Sequence, residues 1–479
     1  MKRTSANFDA IQENHSPVLT VFPTELRQKM KGFGGTFTDA AVWNIDNLPE
    51  RARKHLLESY FGVDGIEYSF GRVPIGSNDF STRPYSYNDW SGDVNLSNFS
   101  LADEDLEHRI PILREALSLR NGSLKLLATP WTAPFWMKSN GRAQGAGVLL
   151  HEVDRIDMWK VYALYLLRYF EEFAKRGIHF YAVSAQNEPN LSRSAHFPWQ
   201  AMYFSPQMLS EFVSKYLGPA IKSNKITKDL HIFPLEISRE QLELYSQEIC
   251  GNEKAFNYSS GIGIHWYADT KIGTNILRNV VTEWATKYVL YTESANGWLT
   301  NDVLLGDWNR AEKYVESMME TVNNGVTGWI DYNLCVDTSG GPSWIGNNLD
   351  AAIVVDKHNK SFMKQPMFYA IGHFSKFIGE NADYMASEFS RKGIGVSDIS
   401  HSAFVNPDGS RALILYNKNS SYSWNISVVD DATPFSQLIL TLPPKSIVTV
   451  LWNKITFTSK LKEPQKDLQS QPFGESEIT

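Results

Sequence analysis

The chain has 479 residues with ordinary globular proportions, 42% hydrophobic and 21% charged, and a formal net charge of −7 that excludes the basic face of a nucleic-acid binder. Its two cysteines, Cys250 and Cys335, exclude a disulfide framework and any CxxC metal spacing. No apolar run approaches the roughly 18 residues of a membrane span, and aromatics reach 13%, an abundance suited to a large core or to a cleft that stacks on sugars.

The first residues, Met1 to Glu13, are polar and show no apolar signal region, so the expected address is cytoplasmic or a non-classical export route rather than lysosomal or secreted. The run "SPVLTVFP", Ser16 to Pro23, reads as a strand ahead of the main domain. From about residue 30 to 375, eight strand-like runs follow: "KGFGGTFTD", "IEYSFGRVPIG", "SLKLLATPW", "FYAVSAQNEP", "LHIFPLEIS", "GIGIHWYAD", "KYVLYTESA" and "GWIDYNLCV". Helical periodicity fills the spaces between them, most clearly over Met158 to Arg176. Strands alternating with helices predict a (β/α)8 TIM barrel of the α/β class, whose active site lies in the loops after the strands. After about residue 380 the pattern turns to strands alone, in "SAFVNPDGSRALILYN", "SYSWNISVVDD" and "KSIVTVLWN", with Asn406-Pro407-Asp408-Gly409 as a hairpin turn. The expected organisation is an N-terminal strand in 1–27, a catalytic barrel in 28–380, a small β-sandwich of 381–456 joined by that first strand, and a polar, mobile tail over 457–479.

Two of the predicted strands end alike. "FYAVSAQNEP" is apolar until it presents Asn187 and Glu188, and "KYVLYTESA" is apolar until it presents Glu293. Cleaving a glycosidic bond requires one carboxyl group to protonate the leaving oxygen and a second, ionised one to act at the anomeric carbon. Two strand ends facing each other across a barrel mouth meet that demand. Asn187 is placed to bond a sugar 2-hydroxyl, and Tyr267 in "GIHWYAD" to hold the Glu293 carboxylate, which makes Glu188 the acid/base and Glu293 the nucleophile. Glu236 in "LHIFPLEIS" occupies a comparable strand end but lacks a preceding amide, and reads as a supporting group. A carboxyl separation of about 5 Å would indicate retention of configuration, and one of roughly 6.5–9.5 Å inversion.

The ordered set "KGFGGTFTDAA", "GRVPIGSNDFS", "LLATPWTAPFWMKSNG", "AVSAQNEP", "GIHWYAD", "YTESA", "GGPSWIGN" and "KQPMFYAIGHFSKFI" resembles glycoside hydrolase family 30, in its glucosylceramidase branch, from about Ile11 to Trp452. That resemblance implies a retaining β-glucosidase that cleaves glucosylceramide through a covalent glucosyl-enzyme, with no metal or organic cofactor. It implies Glu188 as acid/base and Glu293 as nucleophile, Asp79 on distal glucose hydroxyls, Trp131 as the aromatic wall, and Asn187 and Asn347 as further sugar contacts. Arg72, His265 and Tyr267 match the supporting shell, and Phe80, Phe197 and Trp199 the aromatic entrance where lipid chains would lie. Tyr332 in "WIDYNL" departs from the vertebrate enzymes' Trp in the sugar pocket; it keeps a smaller stacking face and adds a hydroxyl.

The expected partner is therefore glucosylceramide or a similar β-glucoside presented at a membrane or micelle surface, with no nucleic acid involved. Two alternatives are weighed against it. One is a related retaining glycosidase acting on a steryl glucoside, a β-1,6-glucan or a xyloside. The other is a catalytically inactive barrel that binds carbohydrate or lipid.

Overall fold

The computed structural model describes residues 4–11, 16–145, 147–191, 197–390 and 396–453. The tail expected over 457–479 lies outside them.

All eight predicted barrel strands form, as a parallel sheet. In spatial order they are Glu236–Ser238, Gly261–His265, Tyr288–Glu293, Gly328–Asp331, Gly32–Thr36, Phe70–Ile75, Lys125–Pro130, Ala182–Ser184 and His231–Phe233. That order holds nine strands because "LHIFPLEIS" is split. His231–Phe233 pairs with Ala182–Ser184, while Glu236–Ser238 pairs with Gly263–His265 on the other side. Pro234 stands between the halves; without an N–H it cannot carry a continuous ladder. One segment thus supplies both ends of the sheet and curls it round.

The strands read as near-continuous apolar runs because helices cover them outside and side chains fill them inside. Phe70, Leu127, Ala182, Phe233, Leu290 and Ile330 pack together in the interior. Two residues further along their strands stand Arg72, Thr129, Ser184 and Thr292, all buried, so a polar layer overlies the apolar one. The predicted helix spans Met158–Ala174; Asp157 caps it by accepting from the Trp159 and Lys160 N–H groups. It stops short of Arg176, ahead of Gly177, whose φ is +76°.

The second sheet unites both ends of the chain, as expected. Val18–Lys29 runs parallel to Trp424–Asp430 and antiparallel to Asp383–Phe389. Leu19, Val21, Met385, Leu413, Ile426 and Val428 form its core. Val18–Lys29 is longer than "SPVLTVFP" and runs past residue 27, and the strands Asp383–Phe389 and Ser436–Leu442 were absent from the sequence reading. Asn406 to Gly409 does turn between Ile399–Val405 and Arg411–Asn417, with Gly409 at φ +82°.

Candidate active site

Local backbone geometry aims both candidate carboxylates inward. Along Tyr288–Glu293 strict alternation from Leu290 would send Glu293 outward. A register shift opposes Ile264 to Tyr291 and then His265 to Glu293, leaving Thr292 as an extra residue that turns Glu293 back to the mouth. Glu188 sits at φ +42°, a left-handed backbone costly for a side-chain-bearing residue, and its N–H donates to the Glu236 carbonyl at 3.0 Å.

The two meet over one pocket of about 290 Å³. One oxygen of Glu188, one of Glu293 and a ring nitrogen of His265 lie within 4.8 Å of one another. Glu293 is held from two sides: Arg72 Nη1 donates to Oε2 at 2.5 Å and the Tyr267 hydroxyl to Oε1 at 2.8 Å. Arg72 Nη2 donates to Asn187 Oδ1 at 2.7 Å and to Glu236 Oε2 at 3.0 Å, and the guanidinium lies 4.7 Å from the Trp131 ring. His265 Nδ1 stands 2.8 Å from Glu188 Oε1. Asp79 accepts from the Tyr332 hydroxyl and from Asn347 Nδ2, both at 2.7 Å.

Burial drives the electrostatics. It pushes Glu188 up to about 8, with Arg72 opposing and Glu236 and Glu240 assisting. Burial also raises Glu293, opposed by His265 and Arg72. Of the pair, Glu293 has the guanidinium at 2.5 Å and is the better seat for negative charge. Burial holds His265 below its ordinary value, against the pull of Glu293, and lifts Asp79 to about 6. Glu188, His265 and Glu293 are close enough to share a cation, yet Arg72 is already bonded to Glu293 and supplies that positive charge itself.

Asp79, Trp131, Asn187, Glu188, Trp199, Tyr267, Glu293, Tyr332 and Asn347 all line the pocket. Arg72 and His265, both wholly buried, stand behind it as support. Phe80 corrects the sequence reading. It is wholly buried rather than at the entrance, packed edge-on against Tyr332 at 5.5 Å, because its ring joins an apolar cluster with Trp131, Tyr332 and Leu349. Phe197 does not line the pocket but stacks edge-on against Trp199 at 4.4 Å. Leu191, Ser238, Glu240, Lys271, Trp298 and Leu349 line it and were not singled out from sequence. Ser238 ends a barrel strand and Glu240, Lys271 and Trp298 follow one within a few residues, and that position was the available signal.

The profile of the glycosyl hydrolase family 30 TIM-barrel domain matches residues 30–378, and that of the family's beta sandwich domain residues 387–450. Putative glucosylceramidase 3 of Caenorhabditis elegans is 37% identical over 458 residues, 95% of this chain and 86% of that protein. Lysosomal acid glucosylceramidase of Mus musculus is 36% identical over 459 residues, 95% of this chain and 87% of its own. The solved structure of the endo-beta1,6-glucanase BT3312 superposes with a TM-score of 0.79 at 27% identity, covering 95% of this chain and 96% of the other.

Proposed function

The chain belongs to glycosyl hydrolase family 30, a family of glycosidases, and from that premise we propose that it is a retaining β-glucosidase acting on glucosylceramide or a closely similar β-glucosyl lipid. The observation that supports the retaining mechanism is that one oxygen of Glu188 lies within 4.8 Å of one oxygen of Glu293. So near an approach favours retention over the spacing of about 6.5–9.5 Å by which an inverting enzyme admits a water between its carboxyl groups. Glu188 gives its proton to the glycosidic oxygen as the aglycone departs, and Glu293 attacks the anomeric carbon to form a glucosyl ester. Glu188, now ionised, takes a proton from water, whose oxygen displaces Glu293 and releases glucose. Arg72 and Tyr267 hold Glu293 for attack, and His265 fixes the orientation of Glu188. Asn187, with its oxygen bonded to Arg72, turns its NH₂ toward the sugar.

A lipid aglycone is supported by the apolar outer wall, where Leu191 and Trp298 are 41% and 39% exposed beside Trp199. These residues suit a substrate presented at a membrane or micelle surface; among the described residues, no helix is long and apolar enough to cross a membrane. Ser238, Glu240 and Lys271, which also line the pocket, favour a second reading in which the aglycone is another sugar, as in a β-1,6-glucan. Glucose release from glucosylceramide micelles, β-1,6-gluco-oligosaccharides and aryl β-glucosides, measured side by side, tests the choice. Faster turnover of the oligosaccharides would replace the lipid reading. Failure of a cyclitol epoxide to label Glu293 in folded protein would favour an inactive scaffold.

A further inference from the structure

Glu236 is a wholly buried carboxylate that does not itself line the pocket, and its place in the reaction is open. Its Oε2 receives Arg72 Nη2 at 3.0 Å, and the same guanidinium bonds both Glu293 and Asn187. Its Oε1 and the Arg72 Nε are buried with no protein partner. Space has been kept for it, too. A Cβ on Gly263, in the neighbouring strand, would stand 2.7 Å from the Glu236 Cγ and 2.6 Å from Thr292 Oγ1, so no larger residue leaves Glu236 where it is. A buried ion pair is weak ground for stability, since desolvation offsets most of the attraction.

Counting charge gives the pair a different purpose. One guanidinium stands in a cluster of three carboxyl groups, bonded to those of Glu236 and Glu293, while the third, Glu188, meets His265, whose cationic form burial disfavours. We propose that Glu236 is a positioning residue that cancels the Arg72 charge within this buried cluster, so that one proton has to reside on the catalytic pair. This inference rests on the roles given above to Glu188 and Glu293. With Arg72 matched by Glu236, the pair carries a single negative charge: a protonated Glu188 and an ionised Glu293 before reaction, an ionised Glu188 and an esterified Glu293 after it. The cluster's net charge stays constant through the step, which spares the site an uncompensated charge in a dry interior. The other titratable groups that line the pocket with Glu188 and Glu293 are Asp79, Glu240, Tyr267 and Lys271. Coulombic repulsion from Glu236 and Glu240 acts on Glu188 in the sense required.

The test compares full-length wild type with Glu236→Gln and Glu236→Asp, reading kcat/KM against pH with an aryl β-glucoside. In Glu236→Gln the alkaline limb is expected to move down by about one pH unit, from the loss of one nearby like charge. Its kcat is expected to fall about tenfold with a smaller change in KM. Glu236→Asp, which keeps the charge, is expected to hold the limb where wild type has it. A Glu236→Gln profile superimposing on wild type overturns the proposal, as does a Glu236→Asp limb displaced toward acid. If Glu236→Gln does not fold, the Glu236→Asp limb decides alone. If wild type hydrolyses no aryl β-glucoside, the functional reading fails. The proton inventory is then read from calorimetric Tm against pH, where the same one-unit displacement separates the outcomes.

Discussion

Tyr332 donates its hydroxyl to Oδ1 of Asp79 at 2.7 Å, at the floor of the pocket and 253 residues away along the chain. Asn347 Nδ2 occupies Oδ2 at the same distance, so the Asp79 carboxylate is gripped on both oxygens although it is 5% exposed. Tyr332 also lies 6.2 Å from Trp131 in a near-parallel stack, which leaves Asp79 between an aromatic wall and two donors. The hydroxyl that distinguishes this position from a tryptophan is therefore part of how Asp79 stays charged and aimed.

Tyr332→Phe removes that donor while keeping the ring. Losing a hydrogen bond to a buried charged group costs about 1.5–3 kcal/mol. KM for an aryl β-glucoside is expected to rise about tenfold, with a smaller change in kcat. Burial already places Asp79 at about 6, and the lost donor pushes it higher, so the KM defect should widen as pH falls through 7. Steady-state kinetics at pH 5 and pH 8 would show this; a defect independent of pH would assign Tyr332 to stacking alone.

Glu188 must carry a proton to act as the acid, and burial holds that proton up to about pH 8. The kcat/KM profile of the free enzyme is expected to fall on its alkaline side near that value. Glu188→Ala should abolish turnover of poor leaving groups while sparing activated aryl glucosides at the first step, with azide restoring turnover as β-glucosyl azide. An α-linked azide product would contradict retention.

The same group sets a stability gradient. Folding raises its value from 4.5 to about 8, so between those pH values the native state holds a proton that the unfolded chain has released. Stability from this site is complete below about 4.5 and is lost as pH rises toward 8. Glu188→Gln has nothing to release there, and its Tm should gain on wild type across that window and run parallel above it. Calorimetry across pH 4–9 checks the sign.

Away from the pocket, Arg109 is wholly buried and bonded to both Asp39 and Asp105. Arg109→Met would strand two carboxylates in the interior and cost about 3–5 kcal/mol. Burial already lifts Asp105 to about 6, so the carboxylates protonate readily and the loss should shrink toward pH 5. Denaturant unfolding at pH 5 and pH 7.5 measures the difference.

Much of this protein was legible in one dimension. Eight apolar runs with polar ends identified the barrel, because strands covered on both faces need no alternation and announce themselves by composition. Glu188 and Glu293 were legible because each interrupts such a run at its carboxyl end, where a barrel keeps its chemistry. The strands Asp383–Phe389 and Ser436–Leu442 were not: exposed and buried positions do not alternate regularly along either, and the first owes much of its pairing to Val18–Lys29, far away in the chain.

What tertiary structure alone decided is where those side chains point and what they meet. Periodicity along the strand would have turned Glu293 away; the extra residue at Thr292, imposed by pairing with His265, turns it inward. Pro234 divides one predicted strand between two neighbours only because the sheet has to close. Phe80 belonged to the entrance by the family resemblance and to the interior by packing. Arg72 finds Glu236 164 residues away and Glu293 221 residues away. Local sequence sets which groups a strand carries, since propensity and burial pattern act over a few residues. Register, closure and charge partnership are settled between segments far apart in the chain, by the requirement that every buried polar group be matched once the barrel is shut.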